Sequence, residues 1–354
     1  MDIETLTRIL HRLYIVQNKG IEYTLPRNKT KKESFLMIDV VALGELLIDF
    51  TCVDTDADGY PTMAAHPGGA PANFLAALAK FGARTALIGK VGTDTFGKLL
   101  TGTLRKAGIE TRGLIAAENV FTTLAFVTLD ETKNREFSFS RKPGADTCLS
   151  FEEIDLRLID ETKVFHFGTL SLTDEPARSA TYRAVEYAKK GGKLITYDPN
   201  LRKPLWKDLK EAKIQLIWGL TNADVVKISD EEVEFLFGLG AEEGAAYILE
   251  NFGVKLVFVT RGADGCYYKN KNACGHVPGL DGISVMDTTG AGDIFGGSAV
   301  WKLLQSDTRP EDLNDAQLRD ITAFACTAAG LSTTKSGGIS SVPEYESVLK
   351  LLPR

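Results

Sequence analysis

Residues 287–293 read DTTGAGD, a stretch of small residues that ends in the carboxylate of Asp293. The stretch follows the apolar run 283–286, which predicts a short strand, and leads into an apolar segment from Ile294 that predicts a buried helix. Small residues in the first turn of a helix leave its unpaired N–H groups uncovered, and such groups bind anions. A carboxylate at that place repels phosphate, but it can take a proton from a nucleophile that attacks the phosphate. The segment therefore indicates phosphoryl transfer.

Two other nucleotide-binding motifs are incomplete in this chain. The spacing of Gly290 and Gly292 matches the start of the dinucleotide fingerprint, but the third glycine would fall on Phe295. Residues 92–99 resemble a P-loop, but Leu99 stands where that motif has a Ser or Thr whose hydroxyl binds magnesium. For the glycine cluster taken alone, close packing of a helix against a strand is the alternative explanation.

The elements that must position these residues follow an alternating pattern from Met37 onward. Short apolar runs predict strands at residues 40–43, 85–91, 163–167, 194–197, 224–228 and 256–260. Between them, helical patterns cover residues 70–81, 96–107, 176–189 and 231–237. Such alternation predicts an α/β fold with a mostly parallel sheet and helices on both faces. Ligands of these sheets bind beyond the carboxyl ends of the strands.

Two segments interrupt the alternation. Residues 49–66 are polar and rich in turn formers, whereas residues 122–140 alternate between apolar and polar and predict a hairpin that turns near residues 130–134. Antiparallel strands so close in sequence to ligand-facing loops predict a small β-sheet lid. An edge hairpin without a lid function is the alternative.

Bulk composition narrows the range of functions. A chain of 354 residues can form one large α/β domain or two smaller ones. Its net charge of −6 provides no basic surface for nucleic acid, and no apolar stretch approaches membrane-spanning length, so we expect neither as a partner. Five widely spaced cysteines without a CxxC pair, together with four scattered histidines, favour a reduced cytoplasmic protein without structural zinc.

The first 36 residues differ in character from the rest. They carry an amphipathic pattern followed by a basic stretch at residues 27–32, but neither an uninterrupted apolar core nor a small-residue cleavage site, which argues against a signal peptide. We expect residues 1–36 to be a leader outside the fold, with a partner-binding extension as the alternative, and residues 37–354 to form the domain.

A second motif identifies a family. Residues 67–73 read PGGAPAN before a predicted helix, and residues 88–97 read IGKVGTDTFG. Together with DTTGAGD about 220 residues later, this order resembles the ribokinase-like (PfkB) carbohydrate kinases from Met37 to Pro353. Further stretches are most similar to those of fructokinases, at residues 44–50, 123–127, 135–137, 165–168 and 197–202. Kinases of 2-keto-3-deoxygluconate share several of them.

The resemblance implies an ATP-dependent sugar kinase with the ribokinase-like fold and a lid, which converts D-fructose and ATP into D-fructose 6-phosphate and ADP. Asp293 would be the general base, and the backbone amides of Gly290, Ala291 and Gly292 would form the anion hole. ATP and Mg²⁺ would be cofactors, with K⁺ as a further candidate. Another PfkB sugar or nucleoside kinase is the alternative enzyme, and the resemblance allows a homodimer.

The same resemblance implies a set of sugar-binding residues. Asp49, Gly69 and Asn73 would hold sugar hydroxyls, since carboxylates and amides accept or donate several hydrogen bonds. Arg202 would reach the transferred phosphate or a sugar oxygen, and Arg141 would reach the sugar from the lid. A helix cap is the alternative for Asn73, and an ion pair that braces a loop is the alternative for Arg202.

Nucleotide and magnesium roles fall on two further loops. Thr260, Gly262 and Gly265 resemble the nucleotide loop of the family, with a plain strand–turn–strand as the alternative. The small-residue segment 323–332 would flank adenine. Glu232 lies in a Ser-x-x-Glu stretch where the family has Asn-x-x-Glu, and it would bind Mg²⁺ through water. The same stretch is also a capping box at a helix start.

A monovalent cation site and two other classes of protein complete the expectations. Asp287 and Thr289, with residues 335–341, resemble loops that hold K⁺ through backbone carbonyls. A nucleotide-dependent oxidoreductase would need a dinucleotide fingerprint after the first strand, which the chain lacks. A non-catalytic sugar sensor would not need Asp293. We therefore expect a sugar kinase.

Overall fold

The structure is a computed structural model that describes residues 37–129 and 135–352. Its strands, in chain order, are β1 (Ile38–Leu43), β2 (Leu47–Thr55), β3 (Pro61–Gly68), β4 (Thr85–Gly92), β5 (Ile109–Glu110), β6 (Leu114–Ala117), β7 (Leu124–Leu129), β8 (Arg135–Ser140), β9 (Thr162–Gly168), β10 (Leu194–Asp198), β11 (Val225–Ser229), β12 (Leu256–Thr260), β13 (Cys266–Asn270) and β14 (Cys274–Val277). The leader predicted at residues 1–36 and the tip of the predicted hairpin lie outside the described residues.

Helices connect these strands. In chain order they are α1 (Ala70–Lys80), α2 (Thr95–Lys106), α3 (Leu156–Glu161), α4 (Ala177–Lys190), α5 (Leu209–Asn222), α6 (Asp230–Phe237), α7 (Ala241–Phe252), α8 (Ala291–Leu304), α9 (Asp315–Ser332) and α10 (Tyr345–Leu351). Every strand and helix predicted in the alternating pattern is present, with its ends within about two residues of the prediction. In the described ranges, no helix has the length and apolar character needed to cross a bilayer.

Ten of the described strands form one large sheet. Its order is β14-β13-β12-β11-β10-β9-β1-β4-β5, and β6 also pairs with β4. Neighbouring strands run parallel from β12 to β5, whereas β13 and β14 are antiparallel additions at one edge. The mostly parallel sheet expected from the sequence is thus confirmed, with β1 between β9 and β4 near its centre.

Both faces of the large sheet are covered. Along β1, Val41 and Leu43 join the apolar cluster that includes side chains of α4 and α5, whereas Val40 and Ala42 join the cluster that includes α1. All four are fully buried. Successive side chains of a strand point to opposite faces, so a strand buried on both sides must be apolar throughout. The central position of β1 therefore explains the apolar run of residues 40–43.

A second, four-stranded sheet adjoins the carboxyl end of β1. Its order is β3-β2-β7-β8, with β2 and β7 parallel and the two outer pairs antiparallel. The polar residues 49–66 are thus mainly two strands with a tight turn, and the hairpin predicted at 122–140 is β7 and β8. Phe50 of this small sheet stacks on Phe126 and meets Phe96 of α2 edge-on, which fixes the small sheet against the large domain.

One predicted strand is wrong. The apolar run 283–286 forms no strand in the structure, and Val285 and Met286 are largely exposed. The last strand of the large sheet in chain order, β14, ends at Val277, and the run 283–286 pairs with none of the described strands. Its backbone is instead held by bonds from the amides of Met286 and Asp287 to the carbonyl of Thr333. An apolar run without a pairing partner remains a loop.

Packing around β4 leads to a stability prediction. Leu87 is fully buried in β4, whereas Leu99 of α2 is 43% exposed. Leu87→Ala should lower the free energy of unfolding by about 2–5 kcal/mol, because it removes buried methyl groups and leaves a cavity. Leu99→Ala, the matched control, should change it by less than about 0.5 kcal/mol. Urea denaturation measures both; equal losses in the two variants would contradict the assigned burial.

Candidate active site

Polar residues from distant parts of the chain meet beyond the carboxyl ends of β1, β10 and β11. Strand β10 ends at Asp198, and the loop after it carries Asn200 and Arg202. The first turns of α1 and α8 supply Asn73 and Asp293 to the same place. This is the edge of the sheet at which parallel α/β folds bind ligands.

Asp293 lies at the centre of this cluster. Its Oδ2 accepts a hydrogen bond from Asn73 Nδ2 at 2.8 Å, and its Oδ1 accepts one from Asn200 Nδ2 at 3.2 Å. Burial raises its pKa above the ordinary aspartate value, while the Asn73 bond and the charges of Lys227 and Arg202 act in the opposite direction. A carboxylate that is oriented by two amides and made more basic by burial suits a general base.

The glycines before Asp293 serve the start of α8. Gly290 is the N-cap with φ 78°, in the left-handed region that favours glycine. A Cβ at Gly290 would lie 2.9 Å from the Cα of Gly338, so packing is part of the reason for this residue. The Ala291 amide forms a long bond of 3.3 Å to the Thr288 carbonyl. An anion at Gly290, Ala291 and Gly292 would therefore displace a weak contact.

Lys227 is a site residue that the sequence analysis missed. Its ammonium lies 3.0 and 3.2 Å from the two carboxylate oxygens of Asp198, and a Cβ at Gly292 would lie 3.0 Å from it. The carboxylates of Asp198, Glu232 and Asp293 raise the pKa of Lys227, against the effect of burial, so it is charged. An available signal was a lysine inside the otherwise apolar strand β11, because lysine is rarely buried unless it is paired.

This lysine reinforces the anion hole. The amino end of a helix carries about half a positive charge, and an ammonium beside it adds to the attraction for an anion. The side chain of Lys227 is only 12% exposed, so water screens this charge weakly. The first turn of α8 and Lys227 together form a site for a strongly anionic group.

Asp49 and Arg202 belong to the same cluster. Burial raises the pKa of Asp49 to about 6; the Arg202 guanidinium lowers it, and the carboxylates of Asp293 and Asp287 raise it. The structure thus brings together two predicted sugar ligands and the predicted base. Asp49 lies on β2 opposite His66 of β3, so the small sheet supplies one wall of the site.

The contacts of Asn73 and Gly69 differ from those expected from the sequence. Asn73 is not a helix cap, since α1 begins at its N-cap Gly69 and the Asn73 amide bonds to Asp293 instead. Its Oδ1 is buried and has no hydrogen-bond partner in the described part of the chain, which leaves it available to a ligand hydroxyl. Gly69, with φ 116°, faces protein: a Cβ there would lie 2.5 Å from the Glu45 carbonyl oxygen.

Arg141 is not brought to this cluster. It is 5% exposed, and its guanidinium contacts the Asp146 carboxylate, the Thr173 hydroxyl and the Leu170 carbonyl. The sequence predicted its position after a hairpin strand, now β8, but did not show that a carboxylate five residues later would hold it. Its expected sugar contact is therefore replaced by a structural contact at the base of the small sheet.

Glu232 forms the capping box that the sequence allowed. Ser229 Oγ accepts from the Glu232 amide at 3.2 Å, and Glu232 Oε2 accepts from the Ser229 amide at 2.9 Å. Its other oxygen accepts from the Leu201 amide at 2.7 Å, which ties α6 to the loop after β10. Within the described ranges, no three His, Cys, Asp or Glu side chains are arranged to hold a metal ion by themselves.

The predicted nucleotide loop connects β12 to β13. Thr260 ends β12, and the turn returns antiparallel so that Thr260 pairs with Cys266. Both glycines have positive φ, but a Cβ at Gly265 would collide with the Val277 carbonyl, whereas one at Gly262 would meet open space. Packing therefore accounts for Gly265, and Gly262 is the position with room for a nucleotide.

The two loops predicted to hold a monovalent cation are in contact. Asp287 Oδ1 accepts from the Thr289 amide at 2.9 Å. Its Oδ2 accepts from the Gly337 amide at 3.0 Å and the Ser336 hydroxyl at 3.3 Å. Asp287 is thus a bridge between the loops rather than an exposed ligand. Cation binding through their carbonyls stays a prediction.

Comparisons with known proteins agree with this geometry. A family model described as pfkB family carbohydrate kinase matches residues 37–345. Fructokinase-2 of Solanum lycopersicum is 42% identical over 318 residues, which cover 88% of this chain and 95% of that protein. Probable fructokinase-3 of Arabidopsis thaliana is 41% identical over 316 residues, covering 88% and 91%.

Solved structures are similar as well. Fructokinase with bound ATP from Xylella fastidiosa has a TM-score of 0.81 at 29% identity, covering 88% of this chain and 97% of that one. Fructokinase from Vibrio cholerae O395, with fructose, ADP and calcium ion bound, has a TM-score of 0.79 at 31% identity, covering 90% and 99%. The similarity therefore extends over the whole described fold.

Asp293→Asn provides the test of the base. We expect kcat to fall ~10²–10⁴-fold, because the amide cannot take the proton of the nucleophile, while the melting temperature and ATP affinity stay near those of the unaltered chain. Asp307→Asn on the exposed surface is the matched control. Initial rates of ADP release and titration with ATP measure the two quantities. A folded Asp293→Asn enzyme with normal kcat would exclude the base role.

Lys227→Met tests the charge beside the anion hole. Loss of one preorganised donor should lower kcat by about 10²-fold. Because Lys227 lowers the pKa of Asp293, its removal should raise that pKa and move the acid limb of kcat/KM to higher pH. Lys255→Met breaks the Lys255–Asp224 pair elsewhere and should leave the pH profile unchanged. If the acid limb of kcat/KM does not shift in Lys227→Met, then Lys227 does not lower the pKa of Asp293.

Lys227→Met also leaves Asp198 buried without its lysine, so a double variant is needed. Lys227→Met with Asp198→Asn removes both charges and avoids an uncompensated buried carboxylate. The double variant should recover stability but not kcat. Recovery of both would mean that Lys227 serves stability alone.

Proposed function

Because this chain belongs to the pfkB family of carbohydrate kinases, we propose that it is a fructokinase that transfers a phosphoryl group from ATP to D-fructose, giving D-fructose 6-phosphate and ADP. One observation carries the proposal: a buried carboxylate, Asp293, is oriented by two amides within the first turn of a helix whose amino end favours anions. A base beside an anion hole is the arrangement that phosphoryl transfer to a hydroxyl requires.

The residues then have distinct tasks in the reaction. Asp293 accepts the proton of the attacking sugar hydroxyl, whose oxygen forms a new bond to the terminal phosphorus as the bond to ADP breaks. Asn73 and Asn200 hold the carboxylate in position for this transfer. The amides of residues 290–292 and the Lys227 ammonium stabilise the negative charge of the phosphoryl oxygens.

Sugar binding is assigned to polar groups close to Asp293. The Asp49 carboxylate and the buried Asn73 Oδ1 accept hydrogen bonds from hydroxyls, and Arg202 contacts a sugar oxygen or the transferred phosphate. The small sheet acts as a lid that excludes water from the reacting groups. Fructose is favoured over 2-keto-3-deoxygluconate because the curated relatives at about 40% identity are named fructokinases.

ATP and its metal fit the residues present. The open space at Gly262 and the positive first turn of α8 suit a nucleotide that spans from the β12–β13 turn to the anion hole. Since the described ranges contain no three-ligand metal cluster, Mg²⁺ would be carried by the phosphates and water, with Glu232 holding one of those waters. When bound, Mg²⁺ neutralises phosphate charge. K⁺ between the loops bridged by Asp287 is a further part of the proposal.

The proposal also covers the extent of the catalytic unit, the cellular compartment and the oligomeric state. The match to the family begins at residue 37, which supports residues 37–354 as the catalytic unit and residues 1–36 as an addition to it. All five cysteines are free thiols, which suits a reducing cytoplasm. A homodimer is compatible with the family and requires a measurement of mass in solution.

A substrate panel tests the proposal. ADP release should be fast with fructose, and at least tenfold lower in kcat/KM with 2-keto-3-deoxygluconate or ribose. It should require Mg²⁺ and fall ~10²–10⁴-fold in Asp293→Asn. Equal rates in KCl and NaCl would remove K⁺ from the proposal. ADP release that is higher with the keto acid would reassign the substrate, and binding of fructose without turnover would leave a sugar sensor.

A further inference from the structure

Three of the four connections between the large domain and the small sheet carry buried polar side chains near the base of the small sheet. Glu45 lies two residues before β2, Thr123 immediately before β7, and Arg141 immediately after β8. Asp146 follows in a short 3₁₀ turn. Each of these four polar side chains is at most 6% exposed. Buried charges are retained at such places only when they are paired and hydrogen-bonded.

Asp146 is the centre of the cluster. Its Oδ1 accepts a short hydrogen bond from the Thr123 hydroxyl, and its Oδ2 accepts from Arg141 Nε at 2.8 Å. A second guanidinium nitrogen of Arg141 lies 2.6 Å from the same oxygen. The carboxylate thereby joins the start of β7 to the end of β8. A Cβ at Gly144 would collide with the Thr123 hydroxyl, so the turn packs directly on this junction.

Arg141 extends the junction into the large domain. Its guanidinium donates to the Thr173 hydroxyl at 2.7 Å and the Leu170 carbonyl at 2.8 Å, in the segment that follows β9. The Thr123 carbonyl in turn accepts from the Ile48 amide at 3.2 Å, which fixes β2 beside β7. Three strands of the small sheet are thus bound to one another and to the large domain at their bases.

The cluster also reaches the helix that carries Asn73. Glu45 Oε1 accepts from the Ala70 amide at 2.9 Å, at the first residue of α1, whose N-cap has no side-chain cap. Burial raises the pKa of Glu45 to about 7, and the charges of Asp146 and Arg141 act on this pKa in opposite directions. Asn73 lies three residues beyond Ala70, and Asp49 lies four residues beyond Glu45.

We propose that Asp146 and Arg141 are positioning residues for sugar binding: they set the base of the small sheet, and thereby the place of Asp49 relative to Asp293. Neither residue touches the reacting groups. Their geometry matters because Asp49 lies on β2 opposite Ala125 of β7, only two residues from Thr123. This inference rests on the proposed sugar-kinase function.

Asp146→Asn is the first test. It keeps the size of the side chain but weakens the hold on Arg141. We expect the KM for fructose to rise tenfold or more, while the KM for ATP changes less than twofold. Amide hydrogen exchange in residues 47–55 and 61–68 should accelerate. A merely structural role would lower the melting temperature and leave the KM for fructose of the folded enzyme unchanged, and that result would overturn the inference.

A control variant at a similar ion pair and two milder variants complete the experiment. Arg178 also bonds to carbonyls of residues 172 and 173 and pairs with Glu211, away from the small sheet. Glu211→Gln should therefore leave the KM for fructose unchanged. Arg141→Lys and Thr123→Val should raise that KM by smaller factors, and they serve if Asp146→Asn does not fold. An equal effect of Glu211→Gln would also overturn the inference.

The unaltered enzyme separates the two proposals. If it releases no ADP with any sugar of the panel, the proposed function fails. Amide hydrogen exchange in residues 47–55 and 61–68 then still tests whether Asp146 and Arg141 hold the base of the small sheet. If it is active with fructose and the variants keep the fructose KM within twofold, the function stands and the positioning role is wrong.

Discussion

The close contact between α1 and α8 is the constraint on which the active site depends. A Cβ at Gly297 would collide with the Phe74 carbonyl, and one at Gly296 would lie 3.4 Å from the Phe74 ring. Only glycine lets the two helices approach so closely. Asp293 is four residues before Gly297 and lies on the same face of α8, and Asn73 precedes Phe74. The backbone contact thereby brings the base within 2.8 Å of its amide, 220 residues away in the chain.

The site contains several buried charges of both signs. Three carboxylates, those of Asp198, Glu232 and Asp293, face one buried ammonium, that of Lys227. Such a group of charges costs desolvation energy, and hydrogen bonds from backbone and amide groups offset part of it. These hydrogen bonds hold the charged groups in place, so little reorganisation is needed when phosphoryl charge develops.

The sequence predicted the parts of this site that are local. The strand and helix alternation, the capping box at Ser229 and the helix start at Gly290 each follow from residues adjacent in the chain. Lys227 and Asn200 were harder to assign, because their role depends on which strand ends meet in the folded sheet. The pairing of Arg141 with Asp146 belongs to the same class: its residue types were visible, but not the direction in which the guanidinium points. The strand predicted at residues 283–286 is wrong for a different reason, because an apolar run forms a strand only when it pairs with another strand.

The positions of α1 and α8 along the chain have a consequence for biosynthesis. Helix α1 forms from the first quarter of the sequence, whereas α8, which covers it, begins at residue 291 of 354. Until the segment from residue 291 onward leaves the ribosome, the apolar face of α1, with Phe74 and Leu75, has no cover from Ile294 or Phe324. An unfinished chain of this kind is prone to associate with other chains. The nascent polypeptide thus gains the cover of α1 and the carboxylate of Asp293 from the same late segment.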